Sequence, residues 1–151
     1  MTIRVLVADD QAMIRGALAG LLNLEHDIEV VAQAADGVQA LEELTRLATQ
    51  AAPLGAKPTS SEHPFSPVDV AIVDIEMPRM DGITTTEAIR ARFPGVRVLI
   101  VTTFGRPGYL QRALDAGATG FMVKNAPVEA LAEGVRTLAA GGRAIDQSLA
   151  V

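Results

Sequence analysis

The chain has 151 residues, 49% of them hydrophobic and 21% charged, with 13 basic against 18 acidic side chains and a net charge of −5. That is enough chain for one domain with its own core, and it is not the composition of a disordered segment. The acidic balance argues against a nucleic-acid-binding segment, which needs clustered Lys and Arg, and the lack of cysteine excludes disulfides, zinc–thiolate sites and thiol catalysis.

Ile3 to Ala8 reads as a first strand that runs into Asp9-Asp10. Gln11 to Leu22 follows with Ile14, Leu18 and Leu21 at helical spacing, widened by Ala17, and either acid is placed to cap its N-terminus. Ile28 to Ala34 is a second strand, Asp36-Gly37 a turn signal, and Gly37 to Leu47 a second helix facing inward through Val38, Leu41 and Leu44. From Ala48 to Pro67 the pattern breaks on Pro53, Gly55, Pro58, Pro64 and Pro67, so a surface loop insert is expected over 48–67.

The apolar, β-branched run Val68 to Val73 is a third strand, buried on both faces, with Asp74 at its end. Gly82 to Arg92 is the third helix, with Ile83, Ala88 and Ile89 inward. Arg97 to Val101 is the fourth strand, running into Thr102-Thr103. After Phe104-Gly105-Arg106-Pro107-Gly108 comes a short helix ending near Ala116, with Gly117 placed as its C-terminal cap. Gly120 to Val123 is the fifth strand, ending at Lys124. Pro127 opens a last helix with the stripe Val128, Leu131, Val135 and Leu138, stopped by Gly141-Gly142. Strands alternating with helices imply an α/β fold, a doubly wound five-stranded parallel sheet with five helices. The common order for five strands is the flavodoxin-like 2-1-3-4-5.

In a parallel sheet all strand C-termini lie on one rim, so Asp9, Asp10, Asp74, Thr102 and Lys124 converge there. Each alone has an ordinary structural reading as a cap, a β-former or a solvated cation. Together their chemistry is complementary. Clustered carboxylates repel unless a cation joins them, and oxygen ligands suit Mg2+. A carboxylate is a nucleophile toward phosphorus, and a phosphoryl group in transfer needs positive charge on its oxygens.

Asp9-Asp10, the run Asp74-Ile75-Glu76-Met77-Pro78 with Met80-Asp81-Gly82, Thr102 and Lys124 resemble the receiver domain of bacterial two-component response regulators. Val101 to Leu110 and Gly141-Gly142-Arg143 look like the NarL/FixJ (LuxR-type) subfamily, most like DesR-type regulators of actinobacteria. The resemblance implies a CheY-like fold, with Asp74 as phospho-acceptor and Mg2+ held by Asp9, Asp10, Asp74 and the Glu76 backbone carbonyl. It further implies Thr102 as the switch hydroxyl, Lys124 as the phosphoryl partner and Phe121 as the switch aromatic. Phe104, two residues past Thr102, is expected to shield the phosphoryl group from water.

The implied role is a signalling domain rather than a turnover enzyme, cytoplasmic and without membrane contact. No secretory signal or bilayer-length uncharged run is visible. A sensor histidine kinase would phosphorylate it, and the output would be dimerisation through the first and last helices. DNA would be reached only through a helix-turn-helix domain missing from this chain. Residues 1–143 are then the receiver domain and 144–151 the start of a linker.

The chain departs from the family in two places. Roughly twenty residues are inserted before the third strand, beyond ordinary loop length. The family often has a cis-bonded Pro after the strand-five Lys, where this chain has Asn125, and a cis Lys124-Asn125 bond would cost about 3 kcal/mol. These departures favour the alternative of a phosphorylation-independent interaction module on the same fold. A phosphohydrolase using Asp74 as nucleophile is a third reading, one that lacks a substrate-binding cap domain.

Overall fold

The computed structural model describes residues 2–51, 66–103, 108–124 and 126–145. Its strands are β1 (Ile3–Ala8), β2 (Ile28–Ala34), β3 (Val70–Asp74), β4 (Arg97–Thr102), β5 (Gly120–Val123) and β6 (Ala144–Ile145). Its helices are α1 (Ala12–Asn23), α2 (Gly37–Ala51), α3 (Gly82–Arg92), α4 (Tyr109–Ala116) and α5 (Val128–Ala139). Every strand pair is parallel, in the order β2-β1-β3-β4-β5-β6.

The pleat divides the core in two, because successive strand side chains point to opposite faces. On one face Leu6, Ala71, Val73, Ile100 and Phe121 pack with Leu44, Ile89 and Ala113 of α2, α3 and α4. On the other, Val5, Val7, Ile72 and Leu99 pack with Leu22 of α1 and with Leu131, Val135 and Leu138 of α5. All five residues of β3 are buried, as its unbroken apolar run requires for a central strand. Each fully buried aliphatic side chain here is worth roughly 1.5–3 kcal/mol relative to exposure. Helices on both faces leave the strand ends as the place where polar side chains can gather.

Several expectations are corrected. The expected five-stranded order holds for β1 to β5, but Ala144–Ile145 adds a sixth strand beside β5, where the linker was placed. A two-residue strand has no alternation from which it could be read. The second helix runs to Ala51, so the expected insert is helical over its first residues. Ala48 to Ala51 contains no Pro or Gly to stop the helix. β3 begins at Val70 rather than Val68 and includes Asp74, which pairs with Val101.

Of the stripe expected to bury α1, Ile14, Leu18 and Leu21, Leu18 alone packs against the core. Ile14 is 41% and Leu21 45% exposed, while Ala19 and Leu22 face the core. The helix carries two overlapping apolar stripes, and periodicity does not choose between them. Neither acid caps it by side chain. Gln11 is the N-cap residue and its amide donates to Asp9 Oδ1 at 2.8 Å. By contrast Gly117 closes α4 with φ 107 as expected, its own amide and that of Ala118 satisfying the last carbonyls. The α5 stripe is buried at Leu131, Val135 and Leu138. Phe104, Asn125 with the Lys124–Asn125 bond, the insert beyond Ala51 as far as residue 65, and residues 146–151 lie outside the described residues.

Candidate functional site

β3 delivers the central group. Asp74 is its last residue, 4% exposed, and Ile75 N keeps the ladder going for one more bond to the Val101 carbonyl. The chain then folds back, with Gly82 N donating to the Ile75 carbonyl at 2.8 Å. Only glycine fits at 82, because a Cβ there would run into the Asp74 carbonyl oxygen. Asp81 caps α3 by accepting from Thr84 N at 2.8 Å. Met77-Pro78 and Asp81-Gly82 thus form a short return loop beside the acid.

β1 brings the second acid. Asp9 is 1% exposed, and Asp10, next along, is exposed. Carboxylate oxygens of Asp9, Asp10 and Asp74 all lie within 4.8 Å of one another. β5 brings the cation from the other side. Lys124 N donates to the Thr102 carbonyl at 2.6 Å, which fixes where its side chain starts. The ammonium then lies 3.1 Å from Asp74 Oδ2, 2.8 Å from Asp9 Oδ2 and 3.1 Å from Gln11 Oε1. Thr102, last in β4, is 3% exposed. Asp10, Gln11, Asp74, Glu76, Thr102 and Lys124 line one cleft of about 240 Å3.

The electrostatics follow from this crowding. Burial pushes the Asp74 carboxyl up, and Asp9 adds to the rise, while Lys124 opposes it without cancelling it. Burial pulls the Lys124 ammonium down, but Asp9 and Asp74 outweigh it and hold the group above its ordinary value. One ammonium therefore pairs with two of the three clustered carboxylates. Asp9 Oδ2 is buried, and the ammonium at 2.8 Å is its close partner. A hard dication with oxygen preference fits this donor set, since it would supply the missing positive charge.

The sequence-predicted residues Asp9, Asp10, Asp74, Thr102 and Lys124 are brought together. The Glu76 side chain is exposed at the mouth of the cleft. Phe121 lies apart, fully buried in the core face that carries α2, α3 and α4. Gln11 was not expected at the site. Its position directly after the acid pair, on the same rim, was the available signal. Arg15 was also missed; its guanidinium donates to the Asp9 carbonyl at 2.7 Å.

Comparison with known proteins gives one answer. The family model of the response regulator receiver domain matches residues 5–136. The transcriptional regulatory protein DesR of Bacillus subtilis is 38% identical over 141 residues, 93% of this chain and 60% of that protein. The transcriptional regulatory protein YvfU of the same organism is 36% identical over 147 residues, 97% of this chain and 64% of that protein. The chain thus spans less than two thirds of the length of these relatives. The signal receiver domain of the response regulator NarL from Mycobacterium tuberculosis superposes with a TM-score of 0.76 at 29% identity, covering 93% of this chain and 98% of that one. A LuxR-family two-component response regulator from Aurantimonas superposes with a TM-score of 0.80 at 26% identity, covering 99% of this chain and 94% of that one. With a match over most of its length and the acid cluster, hydroxyl and lysine on one rim, the chain belongs to the response regulator receiver domain family.

Proposed function

We propose that Asp74 accepts a phosphoryl group from a sensor histidine kinase and that the resulting charge switches the domain between two states. The carrying observation is the Lys124 ammonium at 3.1 Å from Asp74, beside a cluster of three carboxylates whose charge it only partly balances. An Asp74 carboxylate oxygen forms the bond to phosphorus as the bond to the donor nitrogen breaks, and the imidazole takes up a proton. Lys124 pairs with a phosphoryl oxygen. The Thr102 hydroxyl donates to another, being buried one strand away. Asp9, Asp10 and Asp74, with the Glu76 carbonyl, would hold Mg2+, which supplies positive charge to the phosphoryl oxygens when bound. No general base is needed, because the nucleophile is an ionised acid.

The switch reading rests on Thr102 moving toward the phosphoryl group. Phe121 already fills the inward position, with no exposed surface. Phe104 keeps its proposed shielding role from sequence alone. The output is dimerisation through α1 and α5. Met13 at 89% and Leu24 at 79% exposed, with Ile14 and Leu21, leave an apolar surface on α1 and its C-cap residue. DNA control would come through a helix-turn-helix domain joined by a linker that follows β6, and the kinase would meet the domain in the cytoplasm. No described helix is long and apolar enough to cross a membrane.

Incubation with acetyl phosphate and Mg2+, followed by intact-mass measurement, tests the reading. A gain of one phosphoryl mass that disappears in Asp74→Ala supports it. An unmodified wild-type protein, or a modified Asp74→Ala protein, overturns it.

A further inference from the structure

The return loop after β3 contains the one non-glycine residue with positive φ among the described residues, Arg79 at φ 65. Met80 N donates to the Pro78 carbonyl at 2.7 Å across it. A three-residue turn with its central φ positive is a strained form, and an arginine has no intrinsic reason to adopt it. Something outside the turn must hold it there. The hydrogen bond and ion pair of the Arg79 side chain among the described residues go to Asp36, 43 residues earlier, with Nε 2.8 Å from Asp36 Oδ2, and Glu42 adds a weaker attraction.

Asp36 is built to be a fixed anchor. It is 5% exposed. Its other oxygen, Oδ1, accepts from Gln39 N at 2.8 Å and caps α2, while Ala35 N donates in return to Gln39 Oε1 at 2.8 Å. Beside it, Gly37 has no room for a Cβ against Thr85 Oγ1 and Met80, so the start of α2 lies directly on the return loop. The Asp36-Gly37 pair is therefore more than a turn between β2 and α2. It is the wall against which the loop from Ile75 to Gly82 is set.

We propose that the Asp36–Arg79 pair is a positioning device for the phosphorylation site, holding the return loop so that the Glu76 carbonyl faces the acid cluster. This deepens the reading given under Proposed function and rests on it. Arg79 touches neither the acids nor a phosphoryl group, so it acts only through the loop backbone. The chain path is short and closed. Glu76 lies three residues from Arg79, and the loop is pinned at its ends by Ile75 N on Val101 O and by Gly82 N on Ile75 O. Between those pins Met77 is buried in the core and Met80 packs against the start of α2, and the Arg79 side chain adds the loop's ion pair to another part of the fold.

Mg2+ affinity of the purified chain, measured by titration calorimetry, tests this. Asp36→Asn keeps an oxygen to cap α2 and removes the charge. Arg79→Ala removes the guanidinium and leaves a Cβ at φ 65. The two changes alter the local field in opposite senses, so a field effect alone weakens Mg2+ binding in the first and tightens it in the second. The positioning role weakens it in both, by about three- to tenfold, at or below the low end of the 10–100-fold typical of direct outer-shell partners. The double variant is no worse than either single change. Arg79→Gly, which adopts φ 65 freely, falls between Arg79→Ala and wild type. In acetyl phosphate labelling the change falls on the Mg2+ concentration needed for half the maximal rate rather than on the rate at saturation.

Thermal melting confirms that each variant is folded. Arg79→Ala binding Mg2+ as tightly as wild type or more tightly overturns the proposal, as does additivity in the double variant. Wild-type protein that binds no Mg2+ instead overturns the reading on which the proposal rests.

Discussion

Lys124 Nζ lies 3.1 Å from Asp74 Oδ2 although 50 residues separate the two in sequence. The lysine side chain is 10% exposed and contacts Asp9 Oδ2 as well, so one buried cation serves two buried acids. Removing one partner of a buried pair leaves uncompensated charge, at a cost of about 3–5 kcal/mol. Lys124→Met therefore lowers stability by about 3 kcal/mol in metal-free buffer, with residual solvent access at the rim placing it at the low end. Mg2+ then raises the melting temperature more in Lys124→Met than in wild type, because it replaces the lost charge. Equal Mg2+-induced shifts in the two proteins would count against the acid cluster as the binding site.

Asp74→Asn has the opposite effect on stability. Burial and Asp9 raise the Asp74 carboxyl above its ordinary 3.8. A raised acid binds its proton more tightly when folded, so its ionisation costs stability. The cost sets in as pH rises through 3.8 and is complete above the folded value. At neutral pH without metal, neutralising the group therefore raises the melting temperature in a calorimetric scan. The same substitution abolishes phosphoryl labelling. A variant that melts lower than wild type would show that the Lys124 contact outweighs the burial.

Phe121 has no exposed surface and packs with the core under α2, α3 and α4. Phe121→Ala in such a site costs about 3–5 kcal/mol, from lost burial and the cavity left behind. Phe121→Leu recovers much of this. If Phe121→Ala melts within a few degrees of wild type, the aromatic spends its time outside the core, and the inward position is only one of its states.

How legible all this was depended on sequence distance. Asp74 could be read because a β-branched run ending in an acid is a local signal, and α5 because its single stripe admits one inward face. α1 was misread because Ile14 and Leu21 compete with Ala19 and Leu22 at the same period. The rim could be inferred from topology, since parallel strand ends must meet. Which atoms pair there could not be read. Gln11 to Lys124 is 113 residues apart and Asp36 to Arg79 is 43. Neither contact leaves a trace in periodicity or composition. The positive φ at Arg79 was hidden for a further reason: turn chemistry would have put Gly or Asn there.

A last pair ties α5 to the turn between α1 and β2. Arg136 grips Asp27 with two bonds, Nε to Oδ2 at 2.8 Å and NH2 to Oδ1 at 2.9 Å, and reaches Glu25 Oε1 at 2.7 Å and Glu133 Oε1 at 2.9 Å. The bonds from Arg136, against a smaller desolvation, bring the Asp27 carboxyl from 3.8 down to about 2, and they hold the guanidinium above its ordinary value. A depressed acid releases its proton more readily when folded, so its contribution to stability is present above 3.8 and is lost as pH falls through about 2. Arg136 itself stays charged throughout. The stability difference between wild type and Arg136→Gln, from urea unfolding, should therefore be full at about pH 6 and shrink as the pH is taken toward about 3. Salt should reduce it at every pH, because the cluster is open to solvent. A difference that stays constant across that pH range would mean that Arg136 stabilises the domain through the packing of its stem against its neighbours and not through Asp27.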